Sequence, residues 1–170
     1  MSELSAGQSQ VRLTMMSEED FAAFLRKSIP EYAYDQMRAG NWTASEAVGK
    51  ARAEFQQMLP NGPETPNAGL RSVLDEAGQK IGMVWYYIDP SRTRKTAFLI
   101  DFFIFPEKRG QGYEAAALAL FEEEARNQGV ERVELQIFAH KDEEIELYRQ
   151  NAYLDTSIIL AKDLGQAGQV

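Results

Sequence analysis

The run TAFLIDFFIFPEKRGQGYEAAALALFEEEARNQG, residues 96–129, limits the possible folds more than any other stretch. Residues 96–106 are almost wholly apolar, as expected of a strand buried on both faces. Arg109-Gly110-Gln111-Gly112 follows, and two glycines at this spacing mark a tight turn. A helix is expected from there to Arg126, with Gly129 as its stop. RVELQIF (132–138) then alternates strictly and sets Val133, Leu135 and Ile137 on one side. Strand, helix and strand in succession make a crossover, and a crossover joins parallel strands.

The rest of the chain has to fit around that unit. VRLTM (11–15) reads as a short first strand. Ser17 and Asp20 form a capping-box pattern ahead of Phe21, Phe24 and Leu25, so a helix starts there. Pro30 is expected to interrupt it and restart it at a first turn, and Gly40 to end it. Thr43 with Glu46 repeats the capping pattern before Val48, Ala51, Phe55 and Met58. LPNGPETP (59–66) is a loop, because its three prolines and one glycine stop the helix. LRSVLD (70–75) and KIGMVWYYID (80–89) then read as a hairpin. After the crossover, DEEIELYRQN is a short helix, and YLDTSIILAKDL (153–164) is expected to return as a strand. The expected fold class is α/β, with a mixed, largely antiparallel central sheet and helices on both faces. One domain is expected over 11–164, with tails at 1–10 and 165–170.

Composition narrows the function classes. There are no cysteines and one histidine, so thiolate and multi-histidine metal sites are excluded and no metal is expected. Lack of cysteine also fits a reducing compartment, which makes the cytoplasm the expected location. No apolar run is long enough to span a bilayer. The net charge of −8 argues against general nucleic-acid binding and leans weakly toward a cationic substrate.

The turn itself carries chemistry. The first helical N–H groups have no partner inside the helix, and the helix dipole makes that end electropositive. Lys108 and Arg109 add charge beside it. Such a turn suits a pyrophosphate, although it lacks both the Walker pattern and the longer dinucleotide spacing. A plain strand-to-helix turn has the same spacing.

Phe102-Phe103-Ile104-Phe105-Pro106-Glu107-Lys108-Arg109-Gly110-Gln111-Gly112 resembles the core motif of the GNAT superfamily of N-acetyltransferases. Phe138 to Tyr153, with Leu147-Tyr148 inside it, resembles that family's second block. The likeness runs over 96–160 and extends back to 69. The helical stretch 17–59 leading into Leu59-Pro60-x-Gly62-x-x-Thr65-Pro66 resembles a small bacterial subgroup. The resemblance implies a splayed sheet holding acetyl-CoA and direct attack by a primary amine on the thioester. It implies that the backbone of Phe103, Ile104 and Phe105 pairs with the pantetheine arm. Lys108, Arg109, Gly110, Gln111, Gly112, Tyr113 and Glu114 would hold the pyrophosphate, and Tyr148 would protonate the leaving thiolate. The acceptor would be a small-molecule or peptide amine, and a homodimer is compatible with such a fold. An acyl-CoA-binding or sensing module with weakened chemistry is the alternative.

The sequence departs from that pattern at several positions. Glu114 stands where the family has a small residue; it either complements the helix dipole or repels a bound anion. Lys141 replaces an asparagine and reads as a ligand of a CoA phosphate or as a solvated lysine. Glu144 replaces a small residue, and Ala152-Tyr153 replaces Gly-Phe. Asp101 stands out without any family help, because it interrupts the apolar run AFLI-D-FFIF. Such a carboxylate is either hydrogen-bonded or raised in pKa, and is a candidate general base. Trp85, Tyr86, Tyr87, Tyr32, Tyr34 and Trp42 are candidate pocket walls or plain core. His140 is read as a loop residue, and Glu134 and Gln136 as facing either solvent or pocket.

Overall fold

A computed structural model describes residues 11–165. The expected tail 1–10, and all of the expected tail 165–170 except Gly165, lie outside the described residues.

Five strands form one sheet in chain order: β1 (Arg12–Met15), β2 (Ala68–Leu74), β3 (Lys80–Asp89), β4 (Thr96–Ile104) and β5 (Arg132–Leu135). β1 to β4 pair antiparallel, and β4 pairs parallel with β5. The parallel pair is the crossover read from residues 96–138, with α3 (Tyr113–Asn127) as its connection. The helices α1 (Glu18–Arg38) and α2 (Ala47–Met58) precede β2, and α4 (Asp142–Gln150) follows β5.

Alternation along the strands divides the core in two. Phe24, Ile29, Ala33, Ala51 and Phe55 of α1 and α2 pack with Leu70, Met83 and Trp85. Ala117, Leu118, Phe121 and Ala125 of α3, with Tyr148 of α4, pack with Val84, Tyr86, Leu99 and Ile104. Trp85 and Tyr86 therefore face opposite cores, as adjacent strand residues must. Both are at most 2% exposed, which makes them core rather than pocket wall. A polar clasp also holds α3 to the sheet: Glu124 accepts from the Tyr86 hydroxyl at 2.6 Å and pairs with Arg71 at 2.5 Å.

The structure departs from two of the expected elements. α1 passes through Pro30 without a break. The bond that Pro30 cannot make would have ended on the carbonyl of Arg26, and both residues are exposed, so water can satisfy that carbonyl. Residues 153–164 form no strand: among the described residues the segment after α4 pairs with nothing in the sheet. The capping boxes are half realised. The Asp20 N–H donates to Ser17 Oγ at 3.1 Å, and the Thr43 N–H donates to Glu46 Oε1 at 3.0 Å.

Candidate functional site

The site begins with a fault in the sheet. Trp85 of β3 pairs with Asp101, but the next residue, Tyr86, pairs with Leu99, so Ile100 is an extra residue in β4. Such a bulge bends a strand and strengthens its twist. β5 follows β4 only from Thr96 to Leu99, and β4 runs on to Ile104 without it. Beyond Leu99 the β5 side of β4 is thus an open edge leading into the glycine turn.

Alternation decides which backbone groups that edge presents. The Phe105 N–H donates to the Ile81 carbonyl of β3 at 2.7 Å, so Phe103 and Phe105 turn their backbone toward β3. Ile104, and Phe102 before it, turn theirs to the open side. The Ile104 carbonyl already accepts from Arg109 Nε at 2.9 Å, which leaves its N–H. Of the three residues expected to meet a pantetheine arm, Ile104 alone presents its backbone there. Phe102 is one the motif reading passed over, although counting in twos from Ile104 finds it.

The turn is built for close approach. Gly110 and Gly112 sit at φ 70° and 84°, in the left-handed region that other residues enter only with strain. A side chain is already seated there: Glu114 Oε1 accepts from the Gly110 N–H at 3.1 Å. That carboxylate takes one of the amides an anion would use. Lys108 is drawn to Asp75 at 3.3 Å, and Gln111 Nε2 donates to the Glu107 carbonyl at 3.3 Å. Tyr113 packs partly buried on the α3 side of the sheet.

Asp101 on β4 faces α1, and Tyr148 on α4 packs with the α3-side core, near enough to Asp101 to feel its charge. Ser28 Oγ of α1 donates to Asp101 Oδ2 at 2.8 Å. Burial raises the Asp101 pKa from the ordinary aspartate value against the opposing pull of Ser28, Lys27 and Lys141. Tyr148 is 8% exposed, and its hydroxyl has no hydrogen-bond partner among the described residues. Burial, then the charges of Glu144 and Asp101, raise its pKa well above the usual tyrosine range. Both groups thus hold their protons more tightly than usual.

α1 also meets the segment between β5 and α4. Asp35, 7% exposed, lies 2.8 Å from His140 Nε2, accepting from that nitrogen when it carries the ring proton, and pairs with Lys141 Nζ at 2.9 Å. His140 is thus pinned, and its ring stacks on Phe138 with centroids 5.7 Å apart. Lys141 is engaged by Asp35 and Glu144 rather than solvated. Burial works against its charge, but Asp35 and Glu144 outweigh it and raise its pKa. Tyr32 packs edge-on to Trp42 at 5.5 Å and tilted against Phe138 at 6.3 Å, and Tyr32 and Trp42 lie partly buried against the α1–α2 core. Tyr34 is exposed. Glu134 faces outward to Arg92 and Arg132.

Ser28, Asp35, Lys27 and Glu31 were not singled out from the sequence. The signal was present: Ser28 and Asp35 are seven apart and interrupt the stripe of Phe24, Ile29 and Tyr32. No cluster of metal-ligating side chains occurs among the described residues.

The chain has relatives both in sequence and in structure. A family model for the acetyltransferase (GNAT) family matches residues 32–153. YdgE, an uncharacterized N-acetyltransferase of Bacillus subtilis, is 34% identical over 149 residues, covering 88% of this chain and 95% of that one. YycN, another from the same organism, is 31% identical over 154 residues, covering 91% and 99%. The crystal structure of YycN superposes with a TM-score of 0.87 at 30% identity, over 92% of this chain and 100% of that one.

Proposed function

The chain belongs to the GNAT family of acetyltransferases, and we propose that it moves an acetyl group from acetyl-CoA to a primary amine. The observation that carries this reading is the open edge of β4. It runs from the bulge at Ile100, beside Asp101, toward the left-handed glycines of the turn. Those residues fit the cofactor. The Phe102 and Ile104 backbone offers hydrogen bonds to an extended amide chain, and the α3 N-terminus with Arg109 offers donors to a pyrophosphate.

When bound, acetyl-CoA supplies an acetyl group activated as a thioester. The chain's own groups then manage protons and position. Asp101 is suited to take a proton from an incoming ammonium, because its raised pKa brings it nearer to that of the amine. Ser28 holds that carboxyl in one orientation. Tyr148 keeps its proton at neutral pH and can give it to a departing thiolate. Direct transfer needs no enzyme nucleophile, so the rate rests on alignment and on the polar lining.

The test is an acetylation assay over a panel of primary amines. The wild type should turn over at least one of them. Tyr148→Phe should slow turnover by about 10²-fold and leave acetyl-CoA affinity nearly unchanged by calorimetry. Equal turnover rates for the two proteins would remove Tyr148 from the chemistry. A second reading, an acyl-CoA-binding module with little turnover, draws on Glu114 seated in the glycine turn. Acetyl-CoA binding without acetylation of any amine would select it.

A further inference from the structure

We propose that the acceptor is an amine that also carries a carboxylate, and that Lys27 of α1 selects it by holding the carboxylate in a cavity beside Asp101. The amine end rests on the acetyltransferase reading above. The carboxylate end stands on the cavity itself.

The cavity, of about 60 Å³, lies between α1 and the sheet. Phe24, Met83, Phe103 and Phe105 make most of it apolar, and Lys27 and Lys80 stand in its wall. It adjoins Asp101 from both elements. Asp101, Phe103 and Phe105 follow at two-residue spacing along β4 and its end, so they turn to one face. On α1, Phe24 and Lys27 reach the cavity, and Ser28, the next residue, donates to Asp101 at 2.8 Å. The charge of Lys27 also acts on Asp101.

The cavity's charge runs against that of the whole chain. The chain carries −8, but two lysines face one aspartate, Asp20, in this wall. Asp20 is occupied: Lys80 Nζ donates to it, and so does Ser72 Oγ at 3.0 Å. Lys27 is less engaged. An ammonium has three donors, and Lys27 gives one of them, to Glu31 at 2.6 Å. Among the described residues no other acceptor meets it. Its Nζ stands 3.7 Å from the centre of the Phe103 ring. The Glu31 side chain is 56% exposed, and an exposed pair of this kind holds a lysine only weakly.

The ligand chemistry follows. A cation with spare donors at the rim of an apolar cavity suits an anion. A cavity of about 150 Å³ takes a benzene ring, so this one takes roughly two or three heavy atoms, close to the size of a carboxylate. A second ammonium would meet Lys27 and Lys80, so a diamine is disfavoured. Length is set by the strand: two residues, or roughly 7 Å, separate Asp101 from Phe103 beneath Lys27. An extended chain of about four methylenes spans that gap. The class is therefore an ω-amino carboxylate, its methylenes lying along Phe103 and its amine at Asp101.

The test compares 5-aminopentanoate with 5-aminopentanamide, which differs only in losing the negative charge. Calorimetry on the wild type should give a Kd lower by about tenfold for the carboxylate. Lys27→Met should bring the two affinities together, and Lys27→Arg should restore the difference. Melting curves check that each variant is folded. In an acetylation assay the same preference should appear in KM rather than kcat. Equal affinities in the wild type, or binding of neither compound, overturn the proposal. So does a preference that survives in Lys27→Met. The binding arm needs no turnover, so the two readings fail separately. Acetylation of amines without regard to the carboxylate overturns the proposal and leaves the acetyltransferase reading standing. Lys27-dependent binding without acetylation of 5-aminopentanoate overturns its assignment as acceptor.

Discussion

At the scale of single residues, Glu114 and Asp101 show how one carboxylate can be placed to opposite ends. Glu114 sits in the first turn of α3, where its charge suits the helix dipole, and it grips the Gly110 N–H. It therefore stabilises the turn and competes with any anion that enters. Glu114→Ala should lower the thermal midpoint of the free protein slightly and tighten acetyl-CoA binding by up to about tenfold, roughly 1.4 kcal/mol. Titration calorimetry checks it: weaker binding would mean that the carboxylate organises the turn for the cofactor. Asp101 is raised in pKa because it is buried. The folded protein thus prefers it neutral, and that preference is fully present below the unfolded value of 3.8. It is lost as pH rises from there through the raised folded value. Asp101→Asn should match the wild type in stability at acid pH and exceed it increasingly as pH rises through that window. Parallel melting curves across pH test it, and a constant difference would mean that Asp101 ionises normally.

At the scale of elements, the surroundings of Asp101 depend on how α1 is held against the segment between β5 and α4. The tie is polar: Asp35 of α1 meets His140 and Lys141 at once. Asp35→Ala leaves the half-buried Lys141 charge facing Glu144 alone and frees the imidazole. A loss of about 1–3 kcal/mol is expected. The melting midpoint should fall, and the loss should shrink when Lys141→Met is added, because the stranded charge is then gone. An undiminished loss in the double variant would show that Asp35 acts through packing instead. The same tie explains why neither His140 nor Lys141 could be read alone. Both look like loop residues until α1, far away in sequence, supplies their partner.

At the scale of the whole molecule, the net charge of −8 sets a long-range field. If the acceptor is a cationic amine, the KM for it should rise several-fold between low salt and about 0.15 M, where the screening length falls to about 8 Å. An acceptor KM indifferent to salt would leave the charge as a device for solubility only.

Much of the fold could be read from residue order because its causes are local. Alternation of two and of 3.6, glycines at 110 and 112, and Gly129 after α3 act within a few residues of themselves. The crossover from β4 through α3 to β5 follows from those alone, and so does the suspicion attached to a charged Asp101 in an apolar strand. Tertiary structure decided the rest, wherever one segment's outcome depends on another remote in the chain. The bulge at Ile100 appears only when β4 is laid against β3, and it alone selects Phe102 and Ile104 as the open backbone. Pro30 could stay inside α1 because packing of Phe24, Ile29 and Ala33 outlasts one missing hydrogen bond on the exposed side. Residues 153–164 have the composition of a strand, but a strand exists only where an edge receives it. The propensity was legible in the sequence; the absence of a partner within the described fold was not.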